Sequence, residues 1–150
     1  MNAKEELQKI LLYETQIECK LEDLARLKAL ATKMTAAMDG EAVSSSKNPD
    51  PMGDAVVKLL MKKDEITRLQ NAYENARNYF SKIIDSLPDH RYIKVLYGVY
   101  FEGKTLGKIA SEMNYSYRNI CYIHGGALRA VEKIMNSDES LHNISLNCAP

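Results

Sequence analysis

The chain has 150 residues, is 45% hydrophobic and 27% charged, and carries a formal net charge of zero. That composition is globular and excludes a disordered polyelectrolyte, and the length suits one domain or two small helical ones. No apolar run approaches the ~18 residues that a membrane span requires, so the chain is expected to be soluble.

Residues 3–38 contain no Gly or Pro. Leu7, Ile10, Leu11, Ile17, Leu21, Leu24, Leu27, Ala31, Met34 and Met38 recur in steps of three and four, the mark of one apolar face on a long helix. Asp39-Gly40 supplies its stop. Residues 40–53, "GEAVSSSKNPDPMG", read as a loop, longer than the ~2–8 residues usual between helices. Asp54 is the expected N-cap of a second long helix reaching about Leu87. Its apolar positions Leu59, Ile66, Tyr73, Phe80 and Leu87 fall seven apart, with Leu69, Ala76 and Ile83 between them. Such a helix spans about 50 Å at ~1.5 Å per residue. Neither helix buries its stripe alone, so residues 1–87 are expected to form a hairpin or a seam between two chains.

Pro88 ends that helix. Asp89 to Phe101 restarts it, with Ile93, Leu96, Val99 and Tyr100 on the buried side, and Glu102-Gly103 stops it. Thr105 and Ser116 are N-cap candidates for two further helices, Leu106 to about Asn114 and Tyr117 to about Met135. From Asn136 to 150 a flexible tail is expected. The fold class is therefore all-α: a helical hairpin or coiled coil over 1–87, then a helix-turn-helix over 88–135.

The helix-turn-helix reading rests on several local demands. The two helices need a turn of about 3–4 residues and a small residue at the crossing, and Ala110 stands there. Ile109, Met113, Tyr115, Ile120 and Ile123 fall at offsets that fill the wedge. Asn114 is the best non-Gly choice for a positive φ. Arg118 and Asn119 suit paired acceptors on guanine and the edge of adenine.

"VLYGVYFEGKTLGKIASEMNYSYRNICYIHGGALRAVEKI" resembles region 4 of bacterial sigma-70-type factors over about residues 88–135. The shared features are Val-Leu…Val-Tyr, a Gly turn, Thr-Leu…Ile-Ala, then Tyr-Ser…Ile…Ile…Ala-Leu. The layout of the whole chain resembles a family of small phage and prophage sigma-like transcriptional regulators. The resemblance implies DNA binding in phage gene control, with Tyr117, Arg118, Asn119, Cys121 and Tyr122 at the positions that meet the major groove. Tyr117 and Cys121 stand where that family often carries Arg, and Lys108 stands where a capping-box acid would be.

Charge distribution permits this function. Residues 1–87 carry thirteen basic and fourteen acidic side chains. Residues 88–135 carry seven basic (Arg91, Lys94, Lys104, Lys108, Arg118, Arg129, Lys133) against four acidic (Asp89, Glu102, Glu112, Glu132). Lys104, Lys108 and Arg129 are candidates for phosphate contact. His124 is expected as a polar surface or phosphate-facing residue. Tyr at 92, 97, 100, 115, 117 and 122 could stack bases, but half of them fall on expected core faces. Gly125-Gly126 would admit a phosphate, a second helix or a kink, each glycine costing roughly 1 kcal/mol relative to Ala.

Cys19, Cys121 and Cys148 are too widely spaced for a disulfide framework or a zinc site, and His90 and His142 suggest no metal set. With no signal peptide read near Lys4, a reducing, cytoplasmic setting is expected. There is no glycine-rich phosphate loop, paired-carboxylate motif or Cys/His arrangement at useful spacing, so neither an enzyme nor a cofactor is expected. The expected partners are double-stranded DNA and, through the helical arm, RNA polymerase or a second protomer. Two other functions fit the same residues: a DNA-packaging recognition subunit, which would form a large ring, and a protein-interaction adaptor docking on polymerase.

Overall fold

The computed structural model describes residues 2–38 and 51–147. Five α-helices and no strand occur among the described residues: α1 (Ala3–Met38), α2 (Pro51–Asp85), α3 (His90–Tyr100), α4 (Leu106–Met113) and α5 (Tyr117–Asn147). The protein is all-α, as the 3.6-residue periodicity indicates. None of these helices is long and apolar enough to cross a membrane. The expected stop at Asp39-Gly40, most of the 40–53 loop and Cys148 lie outside the described residues.

Two boundaries differ from the sequence-based expectation. The helix α2 begins at Pro51, so Pro51, Met52 and Gly53 open the helix instead of closing a loop, and Asp54 sits in its first turn instead of capping it. Proline loses no hydrogen bond at the first helical position, and a first-turn carboxylate is favoured by the helix dipole. At the other end, α5 runs to Asn147 where a loose tail was expected from Asn136. Residues 127–147 contain no Gly or Pro, and the Ser137 hydroxyl donates back to the Lys133 carbonyl at 2.9 Å. A polar stretch without a breaker continues a helix already nucleated by packing.

The described chain divides into two compact units, Tyr13–Tyr73 and Met1–Leu12 with Glu74–Pro150. Within Tyr13–Tyr73, Lys20 pairs with Glu65 at 2.7 Å and Lys62 with Asp23 at 3.5 Å. One partner number falls as the other rises, so α1 and α2 run antiparallel there. The mutual hydrogen bond between Lys20 and Glu65 raises the ammonium pKa and lowers that of the carboxyl. These exposed pairs mark register more than they stabilise it. Leu24 and Ile66 are the buried apolar side chains of this unit among the described residues, while Leu21 and Met34, expected on the buried stripe, are exposed.

The other unit holds most of the core. Ala3, Leu7 and Ile10 at the start of α1 are buried within it, with Phe80, Ile83 and Ile84 of α2 and Ala127, Val131 and Met135 of α5. Glu132 of α5 accepts the Ala3 backbone N–H at 3.1 Å, satisfying one of the donors that a helix start leaves open. The expected boundary between residues 87 and 88 therefore does not coincide with the packing, because the first turns of α1 and the end of α2 share a core with α3, α4 and α5.

Candidate nucleic-acid interface

Local chemistry positions each short helix. Pro88 cannot continue α2, whose end closes by the Ser86 hydroxyl donating to Ile83 O at 2.6 Å and Leu87 N–H to Ile84 O at 3.1 Å. Asp89 then caps α3, accepting the Arg91 N–H at 2.9 Å and pairing with the Arg91 guanidinium at 2.9 Å. The hydrogen bonds from Arg91 hold the Asp89 carboxyl below its ordinary pKa. Gly103, at φ +66°, turns the chain after α3. Thr105 caps α4 by accepting the Lys108 N–H at 3.2 Å.

Only three residues join α4 to α5. Asn114 adopts the left-handed conformation at φ 58°, ψ 38°. The Tyr115 N–H closes onto Ala110 O at 3.0 Å and the Asn114 N–H onto Ser111 O at 3.4 Å, a Schellman arrangement that satisfies the last carbonyls of α4. Ser116 Oγ accepts the Asn119 N–H at 3.1 Å and so caps α5. Thr105, Asn114 and Ser116 therefore do what their positions in the sequence indicate.

Val95, Ile109, Ala110, Ile120 and Ile123 form the buried cluster where the three helices meet, with Tyr92, Val99, Leu106 and Met113 packed against it. Tyr115, expected in this wedge, is 37% exposed. It follows the left-handed residue, where the chain reverses, and its phenol reaches the Arg91 side chain. Two glycines set how closely the helices approach. A Cβ on Gly98 would lie 2.8 Å from Ile109 Cδ1, and one on Gly126 would lie 2.6 Å from the Tyr92 hydroxyl oxygen. Gly126 thus serves helix packing. A Cβ on Gly125 would meet only an Arg129 guanidinium nitrogen, at 3.9 Å.

The outward face of α5 begins with the residues singled out from the sequence. Tyr117 is 62% and Tyr122 76% exposed, large fractions for aromatic side chains and a sign that neither is needed by the core. Arg118 and Asn119 are exposed and Cys121 is half-buried. Arg118, Asn119, Cys121 and Tyr122 line one open depression together with Ser116. A hydrogen bond to the Cys121 thiol raises the Tyr117 phenol pKa above its ordinary value. Farther along the helix, Arg129 and Lys133 are exposed. Arg118, Tyr122, Gly125, Arg129 and Lys133 are spaced by three and four, so they share one stripe; Glu132, three residues beyond Arg129, flanks it and accepts the Ala3 N–H.

Lys104 does not join this set. Its ammonium is held by Glu102 at 2.5 Å and Glu112 at 3.1 Å, and those hydrogen bonds raise its pKa. A neighbour in sequence and an acid eight residues on have already neutralised the charge assigned to phosphate. Lys108 is exposed on α4.

His124 departs from its expected surface role. It is half-buried, its Nε2 lies 3.0 Å from the Tyr100 hydroxyl, and the two rings stack at 5.8 Å. Burial first, and the nearby Lys4 cation second, lower its pKa. Its place between Ile120, Ile123 and Ala127, at the edge of the apolar stripe, is the sequence signal that points inward. Lys133 also extends the candidate face, and its four-residue step from Arg129 is the signal that finds it.

Compared with known proteins, the chain matches no family model, no curated protein and no solved structure.

Proposed function

We propose that this chain is a DNA-binding transcriptional regulator, with α4, the turn 114–116 and α5 acting as a helix-turn-helix. In this reading the first turns of α5 enter the major groove of duplex DNA. Arg118 and Asn119 read base edges, Tyr117 and Tyr122 contact phosphate oxygens or thymine methyl groups, and Arg129 and Lys133 neutralise phosphates farther along. The observation that carries the proposal is the pairing of a rigid mount with a free face. Asn114 and Ser116 lock the start of α5, and the Tyr117, Arg118, Asn119 and Tyr122 side chains there are exposed. The resemblance of residues 88–135 to region 4 of sigma-70-type factors, and of the whole-chain layout to small phage and prophage sigma-like regulators, supports the same reading.

Fluorescence anisotropy against DNA from upstream of the chain's own gene, at two salt concentrations, tests it. Specific binding should weaken steeply with salt, because phosphate contacts release counterions. Arg118→Ala with Asn119→Ala should lower specific affinity about ten- to a hundredfold, the scale of losing base-edge contacts. Unchanged specific affinity in that variant would remove α5 as the reading helix.

A second reading is an adaptor that docks on RNA polymerase. It is favoured by the neutralisation of Lys104 and by the two exposed tyrosines, a residue type enriched in protein interfaces. Binding to polymerase that is insensitive to salt and to DNA would select it.

A further inference from the structure

The start of α2 is apolar over most of its circumference, with Asp54 and Lys58 the charged residues between Pro51 and Met61. Ala55 and Leu59 face inward and are partly covered, yet Met52, Val56, Val57, Leu60 and Met61 are 39%, 53%, 53%, 56% and 66% exposed. The five fall at spacings of one, three and four, which gathers them into one outward stripe over three turns. A surface helix keeps its apolar side chains to a stripe that faces the core, and these five lie outside it. Among the described residues the Tyr13–Tyr73 unit has two helices, and its buried apolar side chains are Leu24 and Ile66.

We propose that the outward face of α2 over residues 52–61 is a self-association surface that binds the same face of a second copy of this chain. Three considerations select that occupant. The first is area: with Met34 of α1, which lines a groove with Met52 and Val56, these side chains leave roughly 600 Å² of surface, the same order as the ~800 Å² that each partner gives to a standard interface. The second is charge. Asp54 and Lys58 lie within the stripe's span and Lys63 and Asp64 just beyond it. Two residues of each sign at the rim can be matched by the same rim turned through a two-fold axis, whereas a polyanion would meet both attraction and repulsion. The third is composition: residues 39–50, next to the stripe in sequence, offer Ala42, Val43 and Pro49 as apolar side chains, fewer than the five the stripe exposes. The inference does not rest on what α5 binds.

Sedimentation velocity of the full chain from micromolar to 100 µM tests it. The expected species is a dimer of the 17.0 kDa chain. Val57→Glu with Leu60→Glu should return it to monomer with an unchanged helical circular dichroism spectrum. Asn71→Glu, beyond the apolar turns, should leave the dimer intact. Should the double variant lose helicity, Met61→Lys at the most exposed position decides, because it removes no buried contact. A wild-type monomer at 100 µM, a dimer that survives Met61→Lys and the double variant, or a large ring would each overturn the proposal. DNA binding by a monomeric wild type would leave the proposed function standing while this inference falls.

Discussion

Tyr100 of α3 and His124 of α5 face each other across the helix interface, hydroxyl oxygen to Nε2 at 3.0 Å with the rings stacked. Burial shifts both groups toward their neutral forms, lowering the histidine pKa below its ordinary 6.5 and raising the tyrosine pKa from 10.0 to about 12. For His124, the unfolded chain takes up a proton that the folded chain resists. Its contribution is complete above pH 6.5 and is lost as pH falls through the depressed folded value. For Tyr100, the contribution is complete below pH 10 and is lost as pH rises toward about 12. Urea unfolding across pH should therefore show a loss of stability at both ends. Tyr100→Phe should abolish its share of the alkaline loss and cost about 1 kcal/mol at neutral pH. An unchanged alkaline limb would show that Tyr100 is not the group responsible.

The three glycines separate by what surrounds them. Gly125→Ala meets only the Arg129 guanidinium, at an ordinary van der Waals distance of 3.9 Å, and should stabilise the protein by up to about 1 kcal/mol through helix propensity. Gly98→Ala drives a methyl to 2.8 Å from Cδ1 of the buried Ile109, which must shift within the core, and should cost about 1–3 kcal/mol. Adding Ile109→Val removes that carbon and should recover part of the loss. Thermal melts of the two single variants and the pair measure the coupling, and an additive result would mean the contact is not the cause. Gly126→Ala should behave like Gly98→Ala, with Tyr92→Phe as its rescue.

Lys104 and Arg129 should separate in DNA binding. Lys104→Ala removes a charge already shared by Glu102 and Glu112, so affinity and salt slope should change little. Arg129→Ala should weaken binding alike on all sequences and reduce the slope of log affinity against log salt by about 1. The same anisotropy titration reads both, and a larger effect from Lys104→Ala would mean that its ion pairs open on the DNA.

A fragment of residues 88–135 should not fold. Its core lacks the packing that Ala3, Leu7 and Ile10 bring to the same unit. In the full chain, Leu7→Ala should cost about 2–5 kcal/mol, the range for emptying a buried leucine site. Circular dichroism of the fragment and denaturant unfolding of the variant check this. A cooperatively folded fragment would restore the boundary at residue 88.

The side chains that the start of α5 leaves exposed were legible in the sequence, whereas their neighbours' surroundings were not. Arg118, Asn119, Tyr117 and Tyr122 lie opposite an apolar stripe whose period can be read directly. The ion pairs of Lys104 were not legible, because a charge count does not tell whether a lysine has a carboxylate within reach. Tyr115 was misplaced because it lies in the turn after left-handed Asn114, where the chain reverses, and His124 because it sits at an edge of its helix face, where a small rotation decides between solvent and core.

By itself the sequence determined the all-α class, the stops at Pro88 and Gly103, and the caps at Thr105, Asn114 and Ser116. These depend on backbone conformation and on hydrogen bonds that span only a few residues, so neighbouring side chains suffice to specify them. Only the tertiary structure decided that the first turns of α1 belong with α5, that Gly98 and Gly126 are sites of close approach, and that the start of α2 is left uncovered. Those outcomes depend on which surfaces meet across long separations, as where Ala3 meets Glu132. Helical periodicity says that a face must be buried and leaves its partner open.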